Sequence, residues 1–248
     1  MSKRCTAIIL AAGTGTRMQS SVAKQFMPLN DKPLIWYALN CMEKSKIIDD
    51  IVVVTQKEDI PYMKKEIVTK YGFRKVDAIV AGGKERYESV SNALKIIGSP
   101  KRRFPNKDGY VFVHDGARPF VTEELLEKLY DETSKYRATA AAVPSKDTIK
   151  LVDERGFVVQ TPNRKVVWNV QTPQVFRTPV IQSAYEGLKL HMEKIRERRI
   201  AITDDAGVVE IFTSNRVKLV ESYYENIKIT TPDDMVYAEE LLRKKPIF

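Results

Sequence analysis

Short apolar runs rich in β-branched residues alternate with segments of helical periodicity along most of this 248-residue chain. The strand-like runs lie at residues 6–10, 51–55, 78–81, 110–114 and 139–143. The helical segments between them begin after Pro33 and continue at about 60–70, 88–97 and 122–136. Strand–helix alternation builds right-handed βαβ units, so the pattern predicts an α/β fold. Its sheet should be mostly parallel and Rossmann-like, with helices on both faces.

The alternation breaks at about residues 146–172. Residues 148–152 and 157–160 are predicted to form two strands joined by a turn that contains Gly156, so this segment should project from the sheet as a hairpin arm.

The rest of the chain is predicted to hold a long helix, two late strands and a final helix, at 179–199, 217–220, 227–230 and 232–244. It carries no internal repeat and no low-complexity linker. We therefore expect one domain, 1–248, with the arm as an appendage.

Polar or glycine-rich segments follow four of the predicted strands. They are residues 11–17, 82–89, 115–118 and 144–148. The carboxyl ends of parallel strands meet at one edge of a sheet, where open α/β sheets bind their ligands. The sequence therefore predicts a ligand site at that edge, assembled from several loops.

The first of these loops, residues 10–24, is suited to phosphate. Gly13 and Gly15 permit a tight turn with backbone N–H groups facing phosphate oxygens. Arg17 and Lys24 add two cations, which suit a triphosphate better than the pyrophosphate of a dinucleotide. An ordinary strand-to-helix turn with two surface cations is the alternative at this point.

Two common nucleotide motifs are missing. A dinucleotide fingerprint would have a third glycine at Met18 and an acidic residue where Thr55 and Gln56 stand, and the Gly-Lys-Ser/Thr of a P-loop is absent. A dinucleotide-binding site and a P-loop are therefore both disfavoured.

Residues 110–113 are predicted to form a fully buried strand, and His114 and Asp115 follow it directly. A carboxylate there suits Mg²⁺, which needs only one or two protein carboxylates beside substrate phosphates. Arg118 would suit a second phosphate, and His114 is assigned to packing or a backbone hydrogen bond. A turn-capping role for Asp115 remains open.

The net charge of +9 indicates anionic partners without specifying them. The basic clusters at 101–103, 194–199 and 243–245 are not interleaved with aromatic residues, as a single-strand nucleic-acid binder requires. We interpret them as solvated faces and expect no nucleic-acid partner.

Cys5 and Cys41 lie in apolar stretches without metal-binding spacing, which favours a reducing cytoplasm. The apolar run near the N-terminus is short and ends in the glycine loop, so a buried strand explains it better than a signal peptide. No run reaches the length of a membrane span, and no membrane partner is expected.

Several blocks in order along nearly the whole chain carry a resemblance to a known family. They are residues 10–18 with 24–26, 81–83 with Arg86 and 89–90, 114–121, 147–150, Trp168 with 171–174, 203–206 with 209–210, and 226–232. Together they resemble 2-C-methyl-D-erythritol 4-phosphate cytidylyltransferase. Ala23 departs from the proline that many members carry before Lys-Gln-Phe, which should loosen the loop slightly.

Ribitol 5-phosphate cytidylyltransferase is the alternative, since it shares the first loop, the Gln-Thr-Pro-Gln block and the Asn-Ile-Lys ending. Trp168 and the block at 203–210 resemble the methylerythritol branch instead.

The resemblance implies transfer of a cytidylyl group from CTP, with Mg²⁺, to 2-C-methyl-D-erythritol 4-phosphate in non-mevalonate isoprenoid biosynthesis, with release of pyrophosphate. It also implies a homodimer. A phosphate monoester has a second pKa near 6, so its attacking oxygen is largely ionised at neutral pH. This explains why the sequence offers no evident catalytic base.

The resemblance also implies residue roles. Catalytic roles fall to Arg17, Lys24 and Lys228. CTP and its metal would contact Ala12, Gly13, Gly15, Gly83, Ser89 and Asp115, with Asp115 as the metal ligand and Asn226 near the ion. The polyol phosphate would contact Arg118, Thr148, Arg164, Thr172, Thr203 and Lys228. Thr148 and Arg164 would reach across from the partner's arm.

Overall fold

The structure is a computed structural model that describes residues 3–13, 23–102, 105–198 and 200–244. Its strands, in chain order, are β1 (Cys5–Ala11), β2 (Pro28–Leu29), β3 (Lys32–Pro33), β4 (Asp50–Thr55), β5 (Val76–Ala81), β6 (Tyr110–Asp115), β7 (Ala138–Pro144), β8 (Leu151–Val152), β9 (Val158–Gln160), β10 (Trp168–Arg177) and β11 (Lys218–Glu221).

The helices are α1 (Leu34–Lys44), α2 (Ile60–Tyr62), α3 (Arg86–Ile97), α4 (Glu123–Tyr136), α5 (Thr178–Leu190), α6 (Met192–Glu197), α7 (Asp205–Phe212) and α8 (Pro232–Lys244). A π-helical segment, Met63–Thr69, continues α2, and 3-10 turns lie at Lys24–Phe26 and Arg164–Val166. Within the described residues, no helix is both long and apolar enough to cross a membrane.

Seven strands form one sheet in the order β11-β7-β10-β6-β1-β4-β5. β10 runs antiparallel to β6 and β7, and the other neighbours pair in parallel. The predicted α/β class is confirmed, and so are the five strands predicted at 6–10, 51–55, 78–81, 110–114 and 139–143. From β1 the chain builds outward through β4 and β5 and then returns to the other side of β1 as β6. The strand order therefore reverses between β1 and β6, where open sheets bind ligands.

The sheet is buried on both faces. Successive side chains of a strand point to opposite sides, and neighbouring Ile8 and Ile9 are both fully buried in different clusters. Residues of α1, the π-helical segment and α4 cover one face, and residues of α3, α5 and α7 cover the other. This explains why the central strands are continuous apolar runs.

The C-terminal helix makes a third cluster at the edge of the site. Ala238 and Leu242 of α8 pack with Leu34 and Phe120, and Ile229 is buried among them. Burial of Ile229 fixes the segment that precedes α8.

Two predicted elements are wrong. The helix at 179–199 is two helices, because His191 leaves helical geometry (φ −110°, ψ 13°) while its ring stacks on Phe212. The strand at 227–230 is absent. Ile229 N–H donates to the carbonyl of Ala117, which lies in the turn after β6, and the segment does not join the sheet.

The hairpin at 148–160 is present as β8 and β9, which pair antiparallel, and Gly156 takes φ +85° in its turn. Only residues 151–152 of its first predicted strand are strand.

Candidate active site

A cavity of about 290 Å³ opens where β1 and β6 end. Its walls come from the ends of these strands, the β5–α3 turn, the Lys24–Phe26 turn and the segment before α8. Its lining residues are Leu10, Ala11, Ala12, Gly13, Lys24, Gln25, Gln56, Gly83, Lys84, Glu85, Arg86, Ser89, Asp115, Ala117 and Lys228. The cavity occupies the reversal point of the sheet, as the position of the polar loops predicted.

The chain after β1 forms one wall. The Gln56 side chain donates a hydrogen bond to the carbonyl of Ala12, which fixes the backbone just before Gly13. A Cβ on Gly13 would meet no atom of the described residues within 4 Å. Gly15 and Arg17 lie outside the described residues.

The β5–α3 turn forms the opposite wall. Ser89 Oγ accepts from Gly83 N–H at 3.1 Å, and the carboxylates of Glu85 and Glu88 complete a reciprocal capping box at the start of α3. A Cβ on Gly83 would lie 2.3 Å from Glu88 Cβ. Only glycine fits there, so the turn presents bare backbone to the cavity.

Asp115, the last residue of β6, is almost fully buried and faces three cations. Its Oδ2 lies 2.9 Å from Lys228 Nζ and 3.6 Å from Arg118 Nε, and its Oδ1 lies 3.8 Å from Arg86 Nε. Burial alone would raise the pKa of this carboxyl, but Lys228, Arg86 and Arg118 together hold it well below its usual range. Asp115 is therefore a carboxylate throughout the neutral range.

Arg86 in the first turn of α3 reaches across the sheet edge to α7. Its Nη2 donates to Asp205 Oδ2 at 2.7 Å, and Tyr185 OH donates to the other oxygen of Asp205 at 2.5 Å. Burial opposes the charge of Arg86, but Asp205 and Asp115 outweigh it and raise the pKa of the guanidinium. Arg86 is thus a fixed cation in the cavity wall.

The two lysines come from distant parts of the chain and are held by one segment. Ile229 N–H donates to Ala117 O at 2.8 Å, and Ile229 O accepts from Lys24 Nζ at 2.7 Å. Lys228 is therefore fixed beside Asp115, while Lys24 spans from the 3-10 turn to the same segment.

Thr172, Arg118 and Asn226 lie directly behind the cavity. Thr172 Oγ1 accepts from Asp115 N–H at 3.0 Å, and Arg118 Nη1 donates to Asn226 O at 2.7 Å. Asn226 is fully buried and donates to Thr172 O at 2.9 Å, and its Oδ1 has no hydrogen-bond partner among the described residues.

Three predicted residues lie outside the cavity walls. Thr203 is exposed and precedes Asp204, the N-cap of α7. Thr148 and Arg164 are exposed at the base of the arm, where Arg164 Nη1 donates to Lys146 O at 3.2 Å. None of these three residues lines the cavity of its own chain.

The arm exposes a strip of large apolar side chains. Phe157 is 65% exposed, Val159 65% and Val166 75%.

Sequence reasoning assigned no role to Arg86, Gln56, Gln174 or Asp205. Gln174 donates to Asp204 Oδ2 and accepts from Ala206 N–H, so β10 anchors the start of α7. A signal was present for Arg86, since a cation three residues after a Gly-Gly pair stands in the first turn of a helix at the ligand edge.

The arrangement suits a polyanion and a divalent cation together. Lys24, Lys228, Arg86 and Arg118 supply positive charge, and Asp115 supplies a hard anionic oxygen. Across the described part of the chain, no group of three or more His, Cys, Asp or Glu residues forms a metal cage.

The chain matches, over residues 5–244, the family model described as 2-C-methyl-D-erythritol 4-phosphate cytidylyltransferase. A relative of that name from Lachnoclostridium phytofermentans is 42% identical over 247 residues, covering 99% of each chain. Another from Clostridium botulinum (strain ATCC 19397 / Type A) is 43% identical over 245 residues, covering 98% of this chain and 99% of the relative.

Two solved structures also match. A 4-diphosphocytidyl-2C-methyl-D-erythritol synthase from Anaerococcus prevotii has a TM-score of 0.78 and 34% identity, covering 97% of this chain and 99% of that one. A 2-C-methyl-D-erythritol 4-phosphate cytidylyltransferase from Francisella tularensis has a TM-score of 0.75 and 30% identity, covering 96% and 99%.

Proposed function

The chain belongs to the 2-C-methyl-D-erythritol 4-phosphate cytidylyltransferase family, and on that premise we propose how its residues carry the reaction. The protein is a nucleotidyltransferase of isoprenoid biosynthesis. It joins CTP and 2-C-methyl-D-erythritol 4-phosphate, and pyrophosphate leaves. Ribitol 5-phosphate is not favoured as the acceptor, because the relatives described above carry the methylerythritol name.

One observation supports the location of this chemistry most strongly. At the reversal point of the sheet, one buried carboxylate is surrounded by Lys228, Arg86 and Arg118, and Lys24 lines the same cavity. Two polyanions must approach each other for the transfer, and preorganised cations offset their repulsion.

In the proposed reaction a phosphate oxygen of the acceptor attacks the α-phosphorus of CTP. A new P–O bond forms, and the bond from the α-phosphorus to the pyrophosphate oxygen breaks. The attacking oxygen is largely ionised near pH 7, so no side chain has to remove a proton. Lys24 and Lys228, together with Arg17, stabilise the charge that builds up on the α-phosphoryl oxygens.

CTP is proposed to lie along the two glycine-bearing walls. Gly83 and Ser89, whose backbone and hydroxyl already contact each other at 3.1 Å, read the edge of the cytosine. Ala12, Gly13 and Gly15 line the phosphates. Gly13 lines the cavity, which supports this path for the triphosphate.

Asp115 is proposed to hold Mg²⁺. Its Oδ1 is the better placed oxygen, since Lys228 and Arg118 approach Oδ2 while Arg86 lies 3.8 Å from Oδ1. When bound, the ion would neutralise triphosphate charge. Asn226 lies behind Asp115 and is a candidate second ligand of the ion, because its Oδ1 has no hydrogen-bond partner among the residues described.

The acceptor phosphate is proposed to be held by Arg118, Thr203 and Lys228 of one chain and by Thr148 and Arg164 of a second copy. Thr172 lies behind the first three, where its hydroxyl accepts from Asp115 N–H. The exposed positions of Thr148 and Arg164 support a contribution across a homodimer, as does the apolar strip on the arm. Burial of Phe157, Val159 and Val166 between two copies would stabilise that dimer.

The test is pyrophosphate release from CTP with Mg²⁺, measured in parallel with 2-C-methyl-D-erythritol 4-phosphate and ribitol 5-phosphate. The proposal predicts rapid release with the former and little with the latter, and loss of release when EDTA removes the divalent cation. Preference for ribitol 5-phosphate, or full activity in EDTA, would contradict it.

A further inference from the structure

His114 closes a ring of buried hydrogen bonds behind the cavity. Its Nε2 lies 3.1 Å from Arg118 O, and its Nδ1 lies 3.1 Å from Thr172 Oγ1. Arg118 Nη1 donates to Asn226 O, and Asn226 Nδ2 donates to Thr172 O, which completes the ring. Asp115 N–H donates into the ring at Thr172 Oγ1.

The chemistry of the partners fixes where the hydrogens lie. A carbonyl can only accept, so the Nε2 that contacts Arg118 O carries the ring hydrogen. In a neutral imidazole the other nitrogen then accepts, and the hydroxyl of Thr172 must donate to Nδ1. Because its hydrogen is used in this way, Thr172 Oγ1 is an acceptor for Asp115 N–H.

His114 is fully buried. It has no access to substrate, so it cannot act as a catalytic acid or base in the cavity.

We propose that His114, with its Nε2–H donating to Arg118 O, is a positioning residue for cytidylyl transfer, because it directs the Thr172 hydroxyl and holds the turn that carries Asp115 and Arg118. The inference rests on the proposed function for its catalytic consequence. It gives a physical role to a histidine that packing alone would not require to be polar.

The ring also reaches Lys228. Asn226, two residues before Lys228, is bonded to Arg118 and to Thr172, so the segment carrying the lysine is tied to the same four-residue circuit. An apolar side chain in place of His114 would leave Arg118 O without the donor it has in His114, and the hydroxyl hydrogen of Thr172 without the acceptor Nδ1. Buried polar groups without partners rearrange or destabilise the fold.

Steady-state kinetics of four full-length variants test the role. His114→Leu removes both hydrogen bonds, and His114→Gln supplies one acceptor and one donor as the neutral ring does. Thr172→Val and Thr172→Ser form the matched pair on the other partner.

We expect His114→Leu to lower kcat about tenfold or more and to raise KM for the acceptor, with KM for CTP within about threefold. The kinetic constants of His114→Gln and Thr172→Ser should lie much closer to wild type than those of His114→Leu and Thr172→Val.

The double variant His114→Leu/Thr172→Val should be less impaired than the product of the two single effects, because both changes remove the bond between Nδ1 and Oγ1. Wild-type kinetics in His114→Leu would overturn the role. So would multiplying effects in the double variant, or a Gln variant as impaired as Leu. Thermal unfolding of each variant separates a kinetic effect from loss of folded protein.

A second experiment needs no catalysis, so it separates failure of this inference from failure of the proposed function. The chain has two histidines, and the exposed His191→Gln variant leaves His114 alone. With ¹⁵N-labelled histidine, NMR at neutral pH should show one protonated ring nitrogen, assigned to Nε2, and a nonprotonated Nδ1. The Nδ1–H tautomer or a doubly protonated ring would overturn the inference.

Discussion

Replacement of Asp115 by Asn tests the cation cluster most severely, since it removes the carboxylate and keeps its size. Lys228, Arg118 and Arg86 then face a neutral amide at 2.9, 3.6 and 3.8 Å. Loss of the carboxylate proposed to hold the divalent cation should lower kcat by roughly 10²–10³, on the scale seen when one preorganised charge contact at a transition state is removed.

The effect on stability should be smaller than on turnover. Breaking a buried ion pair costs about 3–5 kcal/mol when the remaining charge has no other partner. Here Arg86 keeps Asp205, Arg118 keeps the carbonyl of Asn226, and the Lys228 side chain is 39% exposed. We therefore expect a free-energy cost of about 1–3 kcal/mol at pH 7.

The pH dependence of this cost has a defined sign. Asp115 has a lowered pKa in the folded state, so its contribution is present above the unfolded value of about 3.9 and is lost as pH falls toward the folded value. The stability difference between wild type and Asp115→Asn should shrink below about pH 4.

The assay combines pyrophosphate release across a Mg²⁺ titration with urea unfolding at pH 7 and pH 3. Turnover of Asp115→Asn within tenfold of wild type, at an unchanged Mg²⁺ requirement, would refute the role of the carboxylate. A stability difference that grows on acidification would refute the electrostatic reasoning.

Three further predictions concern other parts of the chain. Gly83→Ala should raise KM for CTP at least about tenfold in steady-state assays, because a Cβ would lie 2.3 Å from Glu88 Cβ and distort the turn; an unchanged KM would contradict a nucleotide contact there. Phe157→Asp should shift sedimentation toward monomer and lower turnover, whereas Val236→Asp, at a similarly exposed position on α8, should do neither; an undisturbed dimer would exclude the arm as the interface. Asp234→Ala should lower the free energy of unfolding by about 1–2 kcal/mol at pH 7, because Asp234 accepts from Thr230 N–H and Thr231 N–H before α8, and by less below its lowered pKa; equal denaturant midpoints would disprove it.

The strands that carry the site loops were predictable because their signal is local. β1, β4 and β6 are buried on both faces and are therefore continuous apolar runs. Their carboxyl ends fall on one edge by the geometry of parallel pairing, which explains why Gly83, Asp115 and Lys24 could be expected around one cavity.

β10 was not predicted, since its role depends on distant strands. Residues 171–174 include two glutamines and a proline and look unlike a central strand, yet β10 lies between β6 and β7. The polar side chains serve tertiary contacts there. Gln174 anchors α7, and Gln171 accepts from Asn226.

The segment 227–230 shows the reverse error. Its alternation of apolar and polar residues is that of a strand, but its partner is the turn after β6 and no neighbouring strand. Likewise, the contacts of Arg86 with Asp205 and of His114 with Thr172 join residues more than fifty positions apart. The spacing of residues along the sequence cannot predict such pairs.

The measurement that tests the central claim most directly follows oxygen atoms through the reaction. The acceptor is labelled with ¹⁸O in the three non-bridging oxygens of its phosphate, and both products are analysed by mass spectrometry. Attack by that phosphate on the α-phosphorus of CTP predicts that all label stays in the cytidylyl product and that pyrophosphate is unlabelled. Label in pyrophosphate, or no product from this acceptor, would contradict the account.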